Sequence, residues 1–70
     1  MLGKSERKIC QHTIDEGRVI SQESCKCEGI CVTYFCVEYK GWLYDITMHD
    51  GAYVYFHRAG LASGEEIWEN

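Results

Sequence analysis

Four of the five cysteines in this chain fall between Glu23 and Cys36, and the fifth, Cys10, lies two residues before His12. Thiols at this density suggest a soft-metal cage, a disulfide frame or free packing groups. Cys25-x-Cys27-x3-Cys31 with Cys10 upstream supplies four soft donors, enough for one structural zinc in tetrahedral geometry. A 70-residue chain has a small core and would gain from such a staple. The spacing argues the other way, because zinc fingers and ribbons favour paired Cys-x2-Cys knuckles and the chain contains none. A disulfide from Cys10 to Cys25, Cys27 or Cys31 is a second option, with a connectivity that spacing does not decide. An odd number of cysteines favours the third option, thiols that stay reduced and pack as small hydrophobes.

Nucleophilic catalysis needs a nucleophile, a base and an orienting group that meet. Cys36, His57 and Asp45 form the one constellation that strand registers allow, with Asp45 expected nearer Tyr55 than His57. His49 reads as a turn residue and His12 as a surface residue. A chain this short rarely shapes a closed pocket, so no enzyme activity is expected.

The elements that would position these groups are clearest from Ile30 to Arg58, where the pattern predicts a three-stranded antiparallel meander (30–58). "ICVTYFCVEY" is rich in β-branched and aromatic residues, and "WLYDITM" alternates. A two-residue turn at Lys40-Gly41 sets Tyr39 opposite Trp42, Val37 opposite Tyr44 and Phe35 opposite Ile46. At the second turn a three-residue His49-Asp50-Gly51 loop is expected, because it pairs Ile46 with Val54 and Tyr44 with Phe56 and so keeps apolar with apolar. The core face then comprises Phe35, Val37, Tyr39, Trp42, Tyr44, Ile46, Met48, Val54 and Phe56. The opposite face carries Val32, Tyr34, Cys36, Glu38, Leu43, Asp45, Thr47, Tyr53, Tyr55 and His57, which is too apolar for a plain solvated surface.

The remaining segments extend this to a mainly β fold (or α+β), a small antiparallel sheet or barrel of about five strands. A basic arm over 1–8 precedes a hairpin over 8–24 that turns at Asp15-Glu16-Gly17. A helix over the same stretch is the competing reading, and Gly17 with the β-branched residues favours strands. Ser63 and Glu66 suggest a capping box opening a short helix over 62–69. The whole is expected to be a single domain.

The net charge of −4 weighs against nucleic acid, whose binders normally carry a basic stripe. No stretch approaches the ~20 apolar residues of a membrane helix, and no apolar segment of signal-peptide type follows Met1, so a cytoplasmic location is expected. The leading functional expectation is a non-enzymatic protein-binding module whose aromatic sheet face, Tyr34, Leu43, Tyr53, Tyr55 and His57, meets a larger host protein. In size and lack of catalytic machinery the chain resembles, in type only, small accessory proteins of phages or mobile elements that block a host protein. The alternative is a zinc-stabilised regulatory or nucleic-acid-associated module, and a homo-oligomer formed by edge pairing is a third reading.

Overall fold

The structure, a computed structural model, describes residues 2–62. It is mainly β, with an open four-stranded antiparallel sheet in the order β1-β2-β3-β4 and one helix on one face. The elements are α1 (Lys4–Glu16), β1 (Arg18–Cys27), β2 (Ile30–Tyr39), β3 (Trp42–His49) and β4 (Ala52–Leu61). Each strand pairs only with its sequence neighbour, so the sheet does not close into a barrel. The helix expected over 62–69 lies, from residue 63 on, outside the described residues.

The turns explain the topology. Glu28-Gly29, Lys40-Gly41 and Asp50-Gly51 all have positive φ at both residues, between 51° and 85°. This is the type I′ geometry whose twist matches the strands on either side. The three-residue loop expected at His49-Asp50-Gly51 is therefore replaced by a two-residue one, with His49 opposite Ala52. The apolar match is recovered one rung later, where a bulge at Val54 shifts the register. Met48 then faces Tyr53, Ile46 faces Phe56 and Tyr44 faces Arg58, rather than Ala52, Val54 and Phe56. Asp50 also ties this turn to β2, accepting from the Cys31 N–H at 2.9 Å while its own N–H donates to the Cys31 carbonyl at 2.8 Å.

The N-terminal segment corrects the expected five-strand arrangement. The basic segment and the first half of the expected 8–24 hairpin form α1, and only the second half forms a strand, β1. The Gly3 N–H donates to the Glu6 carboxylate at 2.9 Å, which satisfies one donor that a helix start leaves open. Cys10, Thr13 and Ile14, at i, i+3 and i+4, turn toward the sheet. Thr13 is buried without loss because its hydroxyl donates to the Ile9 carbonyl at 2.8 Å.

Gly17 stops the helix, and it is required for space rather than for its φ. A β-carbon there would lie 2.6 Å from the Thr13 carbonyl, 2.7 Å from the Glu38 carbonyl and 2.8 Å from Val37. The closeness of helix end to strand β2 brings Cys10 onto Val37 and Ile46, the centre of the core. Leu2, Ile14, Phe35, Tyr44, Tyr53 and Phe56 pack around it.

Candidate functional site

The helix covers one face of the sheet, and no described element covers the other. Strand pairing arranges that outer face in rungs across β1, β2, β3 and β4. One rung is Glu23–Tyr34–Thr47–Tyr55, the next is Ser21–Cys36–Asp45–His57, and toward the β1–β2 turn comes Cys25–Val32–His49–Ala52. Leu43 lies one rung beyond, between Glu38 and Gly60. Tyr34 and Tyr55 are about half exposed, at 51% and 47%. The Tyr55 and His57 rings lie 6.1 Å apart. Glu23 and Asp45 stand among these rings, and Arg18 forms an ion pair with Glu38 at one margin.

Tyr34, Leu43, Tyr55 and His57 thus share the outer face. Tyr53 does not, because the Val54 bulge turns it to the helix side. There its hydroxyl donates to Gln11 at 2.8 Å, and Gln11 in turn donates to Asp15 at 2.9 Å. Burial, then the nearby Cys10 and Asp15, push the Tyr53 phenol above its ordinary range.

The Cys36–Asp45–His57 constellation is closer than its sequence suggested, since Asp45 faces His57 directly. Its order is nevertheless unsuited to nucleophilic attack. The carboxylate lies on the strand between thiol and imidazole, so His57 is two strands from the sulfur it would have to deprotonate. Burial first, and Asp45 second, push the Cys36 thiol up from its usual value, the reverse of activation.

The four candidate zinc ligands are spread over three places. Cys10 is buried beneath the helix, whereas Cys25 and Cys27 are exposed on the outer face at the tip of the β1–β2 hairpin. Cys31 is exposed on the opposite face of that tip, paired with Lys26. Among the described residues no group of three or more His, Cys, Asp or Glu side chains converges on a point that could hold a metal ion.

Sequence reasoning passed over a groove on the helix side. Lys8, Ile9 and His12 of α1 form its wall and Tyr39, Tyr44 and Phe56 its floor, enclosing about 320 Å³. His12 and Tyr39 share a 2.9 Å hydrogen bond across it, and the Tyr44 and Phe56 rings stack at 5.2 Å. The signal for it was the helical spacing of Lys8 and His12, visible only once the segment is read as a helix. No helix is long and apolar enough to cross a membrane. No family model, curated protein or solved structure matches the chain.

Proposed function

We infer that this chain is a non-enzymatic protein-binding module whose outer sheet face meets a larger protein. The observation that carries the reading is the Tyr34–Thr47–Tyr55 rung, two half-exposed tyrosines on a face that no described element covers. Tyrosine supplies large contact area at low entropic cost and is enriched among interface hot spots. Glu23 and Asp45 beside the rings favour a partner whose apolar patch is rimmed by lysine or arginine, and they repel a phosphate backbone. The ordering of Cys36, Asp45 and His57, with the thiol pushed up, supports binding rather than catalysis. A module of this kind acts by occluding a surface of its partner.

The test begins with capture of the partner from cells that make this chain, followed by titration of purified partner against wild type and the Y34A/Y55A double variant. Truncating each hot-spot tyrosine is expected to cost about 2 kcal/mol, roughly 30-fold in Kd. Both side chains are half exposed, so the variant should melt like wild type. Unchanged affinity of a folded double variant would reject the face.

A further inference from the structure

The tip of the β1–β2 hairpin carries three thiols that take no part in the core. Cys25, Cys27 and Cys31 are all exposed, although free cysteine is among the most buried residue types. A thiol that does not pack is left with its chemistry, which is metal binding, oxidation or exchange. The backbone that presents these three is well held. The Glu28-Gly29 turn fixes the strand ends, and the Ser24 and Thr33 hydroxyls share a 3.1 Å hydrogen bond across the hairpin. Asp50 grips the Cys31 backbone at both its N–H and its carbonyl.

Strand geometry sorts the thiols. Cys25 and Cys27 pair with Val32 and Ile30, so both stand on the outer face, two residues and about 7 Å apart along β1. Cys31 pairs with Lys26 and stands on the other face. Cys36 shares the outer face but lies four residues beyond Val32 along β2, about 13 Å away. His49 shares the rung of Cys25 but is two strands off, about 9.5 Å. Two sulfurs meet here, which is half of a tetrahedral zinc site. Their spacing is also wide for a disulfide, whose β-carbons approach to about 3.5–4.5 Å. A linear sulfur–metal–sulfur bridge fits it. Two bonds of about 2.3 Å span about 4.6 Å, so each sulfur leans inward by only about 1.2 Å. Thiolates select soft cations, and copper(I) accepts two ligands in line.

We propose that Cys25 and Cys27 form a two-coordinate thiolate site for a soft monovalent cation of the copper(I) type. Each thiol releases its proton to water as its sulfur takes the metal, and the bis-thiolate complex keeps one negative charge. Lys26, between the two cysteines on the opposite face, partly offsets that charge. The metal changes no oxidation state and needs no further ligand from the chain. The site uses neither Tyr34 nor Tyr55, so the proposal stands independently of the protein-binding reading.

The test titrates the full chain, without oxygen, into copper(I) held by the coloured chelator bicinchoninate. Wild type should withdraw one copper(I) per chain and bleach the colour, and excess zinc should not return it. C25S and C27S should each leave the copper with the chelator while melting like wild type, since both side chains are exposed. C31S/C36S should still withdraw one. No withdrawal by wild type overturns the proposal. So does uptake that survives C25S or C27S, uptake lost in C31S/C36S, or displacement by zinc. Light scattering that shows two chains per metal also overturns it, because the thiols would then be shared between tips. If a serine variant does not fold, iodoacetamide labelling of wild type is mapped by mass spectrometry. Copper(I) should protect Cys25 and Cys27 and leave Cys31 reactive, and equal protection of all three contradicts the site.

Discussion

At the scale of single residues, Gly17 and Cys10 carry most of the information. Gly17 is hemmed in by two backbone carbonyls and Val37, so a methyl group must push the helix off β2. Gly17→Ala should destabilise the fold by about 1–3 kcal/mol, as overpacking does. Urea denaturation measures this, and a neutral or stabilising result would remove the close approach. Cys10 is held up by burial first and by Glu6 second, and Tyr53 is also raised. Above their ordinary values of 9.0 and 10.0 the unfolded chain loses protons that the native chain keeps. Stability is therefore full below pH 9 and falls as pH rises through the raised native values. The urea midpoint should hold up to about pH 9 and then drop as pH rises further, where the unfolded thiol and phenol ionise before the native ones. Cys10→Ala should start lower but flatten that drop. A midpoint that holds steady or rises in wild type would contradict the assignment.

At the scale of elements, three x-Gly turns set the meander, and two of them place a residue without αL preference at positive φ. Glu28 sits at 52° and Lys40 at 53°. Asparagine tolerates this conformation better, so Glu28→Asn and Lys40→Asn should each stabilise by about 1 kcal/mol. Thermal melts of the two variants and of their combination check it, and a lower Tm for either would dispute the turn type. The same elements show what was legible from the residues alone. The Lys40-Gly41 turn and the register of Phe35, Val37 and Tyr39 follow from alternation and a short loop. The bulge at Val54 does not, because it leaves both apolar matching and the Asp50-Gly51 turn satisfied, and only the competition between them reveals it. Alternation alone therefore sets Tyr53 on the outer face, whereas the bulge turns it to the helix side. The helix was obscured because its buried positions are a thiol and a threonine, which give a weak apolar stripe, and because Gly17 reads as a hairpin turn.

At the scale of the whole molecule, one helix serves one face of a four-stranded sheet. Among the described residues only Cys10, Val32, Val37 and Ile46 are buried hydrophobics, and Val32 belongs to the outer face. Among the described residues, much of the apolar surface therefore lies outside that small buried core. The candidate face was legible in part: alternation groups Tyr34, Cys36, Leu43 and Asp45, while the rung that joins Tyr34 to Tyr55 depends on the bulge. The most direct test of the outer-face reading is tyrosine nitration, mapped by mass spectrometry on the chain with and without its captured partner. In the free chain Tyr34 and Tyr55 should be modified well before Tyr53, which is bonded to Gln11. Bound partner should protect Tyr34 and Tyr55. Equal labelling of Tyr53 and Tyr55, or full labelling of Tyr34 and Tyr55 in the complex, would contradict the account.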